Sequence, residues 1–479
     1  MQGLLDGYLP DSAVFDEFAD ERGQPRSHYG PIAQSLSAIA ESDIGHRLAQ
    51  IDSTLLQRGV TFTVYSDARG TERVLPFDPL PRIIPANEWA HIAAGIEQRV
   101  RALNAFLHDI YHEQRIVFAR KIPAEIVFSS KFYTREMIGL EPQGGVYIHV
   151  SGIDLIRDGT GEYLVLEDNL RTPSGIAYVL ENREILKRTF PQFFRDYVPR
   201  PVDDYPSRLR DALTNVAPAG IDDPTIVILT PGIYNSAYFE HALLARRMGV
   251  ELVEGQDLVV HDNIVYMKTT KGLARVDVIY RRIDDDFLDP LYFRPDSALG
   301  AAGIFDSYRA GNVTLANAVG TGVADDKAVY PHVPEMIRYY LGEEPLLPNV
   351  QTYDLTVPSQ RRHVIDNLER LVVKRTAASG GYGMLIGPAS TKSEREVFAD
   401  AIEQHPRDFI AQPVIELSSH PTLIESDIAP RRIDLRPFVL YGSAIDCPPA
   451  ALTRVALESG SLVVNSSQGG GSKDTWILC

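Results

Sequence analysis

A polar β-hairpin is the feature that most limits how this chain can fold. Its two extended runs and the turn between them cover Val146 to Ile156, Tyr163 to Leu166 and Asp158-Gly159-Thr160-Gly161-Glu162. Glycine-containing turns between apolar, β-branched runs are typical of hairpins. Because strand side chains alternate between two faces, Glu167 and Asn169 share a face, and Asp154 can lie near Glu167 on the neighbouring strand. A lone Glu-x-Asn is more often a polar strand end, but this hairpin can gather two carboxylates and an amide.

A strand, a lysine and a glycine-rich turn follow one another much later in the chain. The strand is Leu371-Val372-Val373-Lys374, and the turn is Ser379-Gly380-Gly381-Tyr382-Gly383-Met384. Backbone N–H groups of such a turn can close over phosphate groups. The spacing differs from that of a P-loop, in which Gly-Lys and then Ser or Thr precede a helix. Taken alone, a glycine-rich turn after a strand is more often a simple hairpin.

The composition indicates a folded protein and argues against two classes of partner. A chain of 479 residues is too long for one ordinary core, so we expect two or three packed units. Hydrophobic residues make up 44% and charged residues 23%, as in globular proteins. The formal net charge of −17 argues against nucleic acid or an anionic membrane as the main partner, because phosphates attract a basic surface.

The cysteines and the first residues indicate a cytoplasmic protein. Cys447 and Cys479 are too few for a disulfide framework and lack the spacing of metal ligands. Residues 1–18 lack the basic segment and apolar run of a signal peptide. No stretch is apolar enough to span a bilayer. We therefore expect no membrane partner.

Hydrophobic periodicity predicts a mixed architecture. The N-terminal region is predicted to be mostly helical, with an amphipathic helix from Glu88 to His112. A Rossmann-like strand–helix–strand unit is predicted at Thr225–Leu229, Ala237–Met248, Glu251–Val253 and Val276–Tyr280. In the last part, helices are predicted at Pro334–Leu341 and Val364–Leu371, and strands at Leu371–Lys374, Phe409–Gln412, Pro437–Leu440 and Ser461–Val464.

The late motifs occur in an order that resembles an ATP-grasp domain. They are Asp325-Asp326-Lys327, the strand, lysine and glycine-rich turn at 371–384, Phe409 to Ile415, Asp434-Leu435-Arg436, Arg454, and Asn465 followed by glycines. The glycine-rich turn resembles the phosphate-covering loop of enzymes such as biotin carboxylase. The later part resembles glutamate-adding peptide ligases. An ATP-grasp domain then continues into a hairpin that ends in Glu-x-Asn and holds the metal.

This chain carries the metal-binding hairpin early, at 152–171, instead of after the late motifs. Such an arrangement resembles the circularly permuted ATP-grasp family, which includes proteins similar to glutathionylspermidine synthase. Three further matching stretches are 169–175, 235–241 and 280–286. The resemblance implies an α+β and α/β fold in four parts. These are a mainly helical region at 1–145, the permuted metal-binding part at 146–200, a Rossmann-like substrate domain at 201–324 and the nucleotide-binding lobes at 325–479.

The resemblance also implies the site residues, with ATP and Mg²⁺ as cofactors. Nucleotide contacts are expected from Lys327, Lys374, Ser379, Gly380, Gly381, Gly383, Gln412, Val414 and Asn465. Metal ligation is expected from Asp154, Glu167 and Asn169, because Mg²⁺ prefers oxygen ligands. The catalytic arginines are expected to be Arg436 and Arg454, since a guanidinium group binds phosphate oxygens in pairs.

The reaction implied is the joining of a small-molecule or peptide carboxylate to an amine through an acyl-phosphate, with release of ADP and phosphate. Two alternatives remain: a phosphotransferase on the same fold, and a non-catalytic ATP-binding protein. Hydrolysis of the amide product is not expected, because neither cysteine lies beside a plausible histidine motif.

The predicted substrate-binding residues follow strands of the Rossmann-like unit. Asn235 and Ser236 lie before a helix N-terminus, where N–H groups favour a carboxylate. Arg281 and Arg282 could clamp a second anion, and Arg171 is the third candidate arginine. The acids Asp284 to Asp286 could attract a polyamine. A solvated turn with internal salt bridges explains these arginines and acids equally well.

Overall fold

The computed structural model describes residues 5, 8–39, 41–63, 72–377, 383–424, 427–461, 463–464 and 469–479. The α-helices of this described chain are Gly30–Ser37, Glu41–Gln57, Ala86–Tyr111, Arg115–Phe118, Ala124–Phe128, Ile176–Thr189, Tyr205–Thr214, Tyr238–Met248, Ile304–Arg309, Gly322–Asp325, Val333–Met336, Pro358–Asp366 and Lys392–Gln404. The helix Val333–Met336 continues as a π-helical turn, Ile337–Leu341.

A large sheet joins early and late parts of the chain. In spatial order its strands are Phe77–Ile84, Gly471–Ile477, Ala451–Val455, Asp427–Tyr441, Val150–Arg157 and Tyr163–Asn169, and Ser419–Ile424 and Ile445–Asp446 also pair with Asp427–Tyr441. The first strand of the predicted hairpin therefore pairs with Asp427–Tyr441, a strand that lies almost 300 residues later in the sequence. This connection is the arrangement expected of a permuted domain.

The hairpin has the register that the alternation of its residues predicts. Val150–Arg157 and Tyr163–Asn169 pair antiparallel, with Asp154 opposite Glu167 and Gly152 opposite Asn169. An irregularity in the register follows Asp154. Gly161 in the turn has a φ of +88°, which a glycine adopts without the steric cost of a side chain. The hairpin thus places Asp154 and Glu167 side by side.

A four-stranded parallel sheet confirms the Rossmann-like prediction. Its strand order is Thr314–Ala316, Val278–Arg281, Ile226–Leu229 and Glu251–Val253. The helix Tyr238–Met248 connects two of these strands, as parallel pairing requires. A separate three-stranded antiparallel sheet contains Leu258–His261, Ile264–Thr269 and Gly272–Arg275.

A small antiparallel sheet carries the predicted nucleotide strands. Its order is Tyr353–Asp354, Phe409–Pro413, Leu371–Arg375 and Leu385–Ile386. Its apolar face packs on the helices Pro358–Asp366 and Lys392–Gln404 through a buried cluster that includes Val364, Val373 and Ile402. The strand predictions at 371–374 and 409–412 are confirmed.

Two predicted elements in the last part are corrected. The helix predicted at Val364–Leu371 begins at Pro358 and ends at Asp366, since proline suits a first helical turn and Leu371 already belongs to a strand. No strand occurs at the described residues 461, 463 and 464. The edge of Ala451–Val455 that this segment could have joined is paired with Gly471–Ile477.

The N-terminal region is mainly helical, as expected, but it also supplies strands. Thr61–Thr63 pairs with Glu72–Val74, and Phe77–Ile84 pairs parallel to Gly471–Ile477 in the large sheet. The predicted long helix is Ala86–Tyr111, and residues such as Ile96, Leu103 and Phe106 are fully buried along it. The domain limits at 146, 201 and 325 stay predictions. Among the helices described, none combines the length and apolar character needed to cross a membrane.

Candidate active site

A cavity of about 790 Å³ gathers most of the predicted site residues. Its walls come from the hairpin, the turn at 171–175, the loop at 235–237, the small antiparallel sheet and the strands at 427–441 and 451–455. Eight cationic and five acidic side chains of the described residues line it. The lining is therefore net positive in a chain whose formal charge is −17, which favours an anionic ligand.

The hairpin contributes the three predicted metal ligands to the cavity wall. Asp154, Glu167 and Asn169 all line the cavity. Glu167 is ion-paired with Lys327. The Nδ2 atom of Asn169 is buried and has no hydrogen-bond partner in the described structure. Three oxygen-bearing side chains thus lie at one end of the hairpin.

Two arginines from late strands hold the carboxylate of Asp154. Arg436 forms a two-pronged ion pair with Asp154, and its Nη1 atom donates to the Ser174 carbonyl at 3.1 Å. Arg454 donates from Nη2 to Asp154 at 2.8 Å and also pairs with Asp434. Burial alone would raise the pKa of Asp154, but the two guanidinium groups hold it well below its usual range. Asp154 is therefore ionised, and both predicted catalytic arginines lie beside the predicted metal ligands.

The two predicted phosphate lysines come from different segments and meet at the cavity. Lys327 follows the short helix Gly322–Asp325, and Lys374 lies near the end of the strand Leu371–Arg375. Lys374 forms no hydrogen bond or ion pair with the described residues. Burial, together with the positive charge of Lys327, lowers the pKa of Lys374 to about 8. An anionic ligand would supply the partner that Lys374 lacks.

The strand and segment predicted to hold adenine also line the cavity. Gln412, Pro413, Val414 and Ile415 are all part of the wall. The Nε2 atom of Gln412 donates to the Thr352 hydroxyl at 2.9 Å, which fixes this side chain. Apolar side chains such as Val372, Ile386 and Met384 complete this part of the cavity. The wall is suited to a flat apolar group with a few polar edges.

Four of the predicted nucleotide contacts belong to segments outside the described residues. Ser379, Gly380, Gly381 and Asn465 lie outside the described residues. Gly383 is described, is exposed and has a φ of +69°, and it is not part of the described cavity wall.

The loop before the helix Tyr238–Met248 brings Asn235 and Ser236 to the cavity, as predicted. Asn235 accepts a hydrogen bond on Oδ1 from the Ala237 N–H at 2.9 Å. His241, one turn into the helix, lines the same region and was not predicted as a site residue. Lys131, from the N-terminal region, is a second unpredicted lining residue. His241 ends the stretch 235–241 that matched the family, so the sequence carried a signal for it, whereas Lys131 stands in no motif with a recognised spacing.

The predicted substrate arginines divide into two groups. Arg171 and Arg282 line the cavity, whereas Arg281 does not. Arg281 is 1% exposed and donates to the carbonyl groups of Asn317, Ile283 and Ala318. Its predicted substrate contact is therefore corrected. The hydrogen bonds of Arg281 instead connect the end of its own strand to the residues that follow the strand Thr314–Ala316.

The acids predicted to attract a polyamine are largely committed to arginines. Asp284 pairs with Arg171, which also pairs with Asp325. Asp285 pairs with Arg281 and accepts the Gly320 N–H. This cluster behaves as the salt-bridged turn that was the alternative explanation.

The residues of the hairpin fit a magnesium ion bound with a nucleotide. Mg²⁺ takes one or two carboxylates and completes its shell with phosphate oxygens and water, so a dedicated cage is unnecessary. Within the described chain, no cluster of three or more His, Cys, Asp or Glu residues is arranged to hold a metal. Asp154 and Glu167 are opposite each other in the hairpin, and the amide oxygen of Asn169 lies two residues beyond Glu167 along the same strand. Their present partners are cations that a triphosphate could draw away.

Comparison with known proteins agrees with this geometry. The family model described as circularly permuted ATP-grasp type 2 matches residues 81–456. An uncharacterized protein from Synechocystis sp. is 53% identical over 99% of this chain and 98% of its own length. An uncharacterized protein from Mycobacterium tuberculosis is 51% identical over 97% of this chain and 84% of its own length.

Two further similarities involve proteins whose names mention a reaction class. A Frankia casuarinae protein, named provisionally as glutamate–cysteine ligase 2-2, is 43% identical over 99% of this chain but only 54% of its own length. A glutathione synthetase-like effector from Globodera pallida, solved in its apo form, superposes with a TM-score of 0.59. It covers 92% of this chain and 98% of its own chain at 9% identity, so it supports the fold alone.

Proposed function

Because the chain belongs to the circularly permuted ATP-grasp type 2 family, we propose that it is an ATP-dependent carboxylate–amine ligase. Its substrates are a small-molecule or peptide carboxylate and an amine, and its products are an amide, ADP and phosphate. A similar protein with a glutamate–cysteine ligase name is consistent with this class of reaction.

The observation that carries the proposal is that segments far apart in the sequence line the same cavity. Glu167 and Asp154 come from the early hairpin, Lys374 from the strand Leu371–Arg375, and Arg454 from the later strand Ala451–Val455; Lys327 follows a short helix between the hairpin and these strands. Such a set supplies the two requirements of ATP-driven acyl transfer, which are oxygen ligands for a divalent cation and positive charge for phosphates.

The roles follow from chemistry and position. Lys327 and Lys374 neutralise phosphate oxygens, and Gln412 and Val414 belong to the wall that receives adenine. The substrate carboxylate attacks the γ-phosphorus, and the bond from that phosphorus to the bridging oxygen of ADP breaks. An amine then attacks the acyl carbon, phosphate leaves, and the nitrogen loses a proton. Arg436 and Arg454 compensate the negative charge of the transferred phosphoryl group, because guanidinium binds phosphate bidentately.

Asp154, Glu167 and Asn169 would hold Mg²⁺, which would offset charge on the triphosphate when bound. Beyond binding these charges, the chain contributes to the reaction mainly by positioning the substrates. Holding two reactants together removes much of the entropic part of the activation barrier. A covalent side-chain nucleophile is not required.

Amine-dependent ADP release from pooled amino acids, peptides and polyamines tests the proposal. We expect ADP and phosphate to form together only when both an acid and an amine are present. Acids labelled with ¹⁸O in the carboxylate should pass one labelled oxygen to phosphate, because the acyl–oxygen bond breaks when the amine attacks.

Two results would contradict the ligase proposal. A stable phosphorylated product without amine dependence would indicate a phosphotransferase. ATP binding with no turnover for any acid and amine pair would instead favour a non-catalytic nucleotide-binding protein. Lys374→Ala and Glu167→Ala are the control variants, and both should lose the activity.

A further inference from the structure

The part of the cavity beside the helix Tyr238–Met248 presents hydrogen-bond donors. Asn235 and His241 both line it, one before the helix and one in its first turn. The direction of the hydrogen bonds that these two side chains already make decides which of their atoms remain for a ligand.

Asn235 is left with its amide nitrogen. Its Oδ1 atom accepts the Ala237 N–H at 2.9 Å, as in an Asx turn two residues long, in the loop before the helix. Its Nδ2 group, a double donor, has no partner within the described residues. Asn235 therefore offers N–H groups to the cavity.

His241 is left with an N–H group of its own. Its Nδ1 atom lies 2.9 Å from the Thr230 hydroxyl, and that hydroxyl accepts the Gly232 N–H at 3.2 Å. A hydroxyl that accepts one bond still has its proton to donate, and His241 Nδ1 is the available acceptor among the described residues. Nδ1 is then the acceptor, so the proton of the ring is on Nε2.

The ring of His241 is neutral. Its side chain is 1% exposed, and burial, together with the positive charge of Arg282, holds the pKa of His241 well below its ordinary value. Nε2 has no hydrogen-bond partner in the described part of the chain, although His241 lines the cavity. His241 is thus an uncharged donor whose ring is held by its contact with Thr230.

The charged groups around these donors are already paired with one another. Arg282 donates to the Pro173 carbonyl and pairs with Glu240, and its Nε atom is buried without a partner. Glu240 accepts the N–H groups of Gly175 and Ala177. Asp284, which also lines the cavity, pairs with Arg171. The carboxylates beside the two donors, Glu240 and Asp284, are therefore already held by other groups.

Building on the proposed ligase function, we propose that Asn235 Nδ2 and His241 Nε2 form a subsite for a substrate carboxylate. A helix N-terminus adds favourable partial positive charge for such a group. A polyamine would bring further N–H donors to these two groups and leave them without an acceptor, which costs free energy and disfavours a polyamine at this position. The ligand class is then an amino acid, a peptide or another carboxylic acid.

Binding of acetate and of acetamide, without nucleotide, tests the subsite directly. Ligand-observed saturation-transfer NMR should detect acetate and should show acetamide to bind at least roughly tenfold more weakly, since charge-assisted hydrogen bonds are the stronger. Equal binding of the two molecules, or no binding of acetate, would overturn the proposal.

Asn235→Asp is the most informative variant. An aspartate keeps the oxygen that accepts the Ala237 N–H, so the turn before the helix is retained, but it replaces the two donors with a negatively charged acceptor. We expect the acetate signal assigned to this subsite to be lost. Asn263→Asp, at an exposed hairpin turn, adds the same charge elsewhere and should leave binding unchanged. An unchanged acetate preference in Asn235→Asp would contradict the assignment.

His241 gives a second, independent test. His241→Gln can place an amide N–H near the position of Nε2 and should keep part of the acetate binding, whereas His241→Leu should reduce it about tenfold or more. Equal binding in the glutamine and leucine variants would contradict a donor role for His241.

The carboxylate can belong to either substrate, and turnover distinguishes the two. Amino acids and dipeptides that bind with a preference over their carboxamides are tested with and without N-acetylation. An N-acetylated ligand that still supports ADP release with an added amine supplies the activated acid. A ligand that still binds after N-acetylation but no longer supports turnover supplies the amine. Because the acetate measurement needs no nucleotide, its failure is separate from a failure of the ligase proposal.

Discussion

The surroundings of Lys374 disfavour the charged form of its side chain, although its proposed role is to bind phosphate as a cation. Burial and the neighbouring Lys327 lower its pKa to about 8, and it lacks an ion-pair partner within the described structure. A bound triphosphate would favour the charged form and raise the pKa, so proton uptake accompanies nucleotide binding near and above pH 8.

We therefore predict that nucleotide affinity falls as the pH rises above about 8. Below that pH the lysine is protonated in the free protein, and binding costs no proton uptake. The dissociation constant of a non-hydrolysable ATP analogue, measured by calorimetry from pH 7 to pH 9.5, should increase by up to roughly tenfold per pH unit. Lys374→Arg should bind with little pH dependence, because arginine stays charged. A wild-type profile that is flat over this range would contradict the prediction.

Asp154 has a structural role in the free protein besides its proposed role in metal binding. Its carboxylate lies between Arg436 and Arg454, and all three side chains are at most 14% exposed. We predict that Asp154→Asn lowers the free energy of unfolding by about 3–5 kcal/mol, because Arg436 loses its carboxylate partner and Arg454 keeps only Asp434. Denaturant unfolding with circular dichroism measures this.

Asp203→Asn is the matched control for Asp154→Asn. Asp203 pairs with Lys187 at the surface, where both side chains are about half exposed. Loss of this ion pair should change the free energy of unfolding by less than about 1 kcal/mol. Equal effects of the two substitutions would show that the Asp154 cluster contributes nothing beyond a surface pair.

Several residue roles could not be read from the sequence because they depend on tertiary contacts. Arg281 looked like a substrate clamp beside Arg282, but it donates to carbonyl groups of Asn317 and Ala318, which lie far along the chain. His241 gained its orientation from Thr230, a contact between a strand end and a helix. Asp154, Glu167 and Asn169 were predictable as a group, because strand alternation and one turn determine their placement.

At the scale of elements, the turn at 171–175 connects the hairpin to the substrate region. Glu240, on the helix Tyr238–Met248, accepts two N–H groups at the start of the helix Ile176–Thr189. Arg436 donates to the Ser174 carbonyl of the same turn while it holds Asp154. The turn therefore links the proposed metal end and the proposed carboxylate subsite.

Gly175→Ala tests the importance of this turn. Gly175 has a φ of +120°, and a Cβ atom there would lie 2.9 Å from Cδ2 of Leu452, itself a lining residue. We predict a loss of about 1–3 kcal/mol in unfolding free energy, together with reduced substrate affinity. Gly220→Ala is the control, because Gly220 also has a positive φ but no atom lies within 4 Å of an added Cβ. Identical effects in both variants would contradict a specific role for the turn.

Elements with a strong local pattern were predictable, and elements defined by distant pairing were not. The helix Ala86–Tyr111 and the hairpin follow from periodicity and turn residues. The strand Phe77–Ile84 contains two prolines, which weaken a strand signal, and it exists because Gly471–Ile477 pairs beside it. The valines at 463 and 464 suggested a strand, but they line the cavity instead.

At the scale of the whole molecule, the large sheet is what makes a permuted chain order compatible with one site. The hairpin strand Val150–Arg157 pairs with Asp427–Tyr441, so segments from opposite parts of the sequence form a continuous wall. The family resemblance allowed this joining to be predicted, since local patterns give no information about which strands become neighbours.

The most direct test of the account is whether the early hairpin and the late lysine act on one nucleotide. Calorimetric titration of ATP, with and without Mg²⁺, would compare the wild type, Glu167→Gln, Lys374→Ala and the double variant. We predict that Lys374→Ala weakens binding at least roughly tenfold, that Glu167→Gln removes the gain in affinity due to Mg²⁺, and that the two effects are not additive. Wild-type affinity in Lys374→Ala, or an unchanged Mg²⁺ effect in Glu167→Gln, would contradict the shared site.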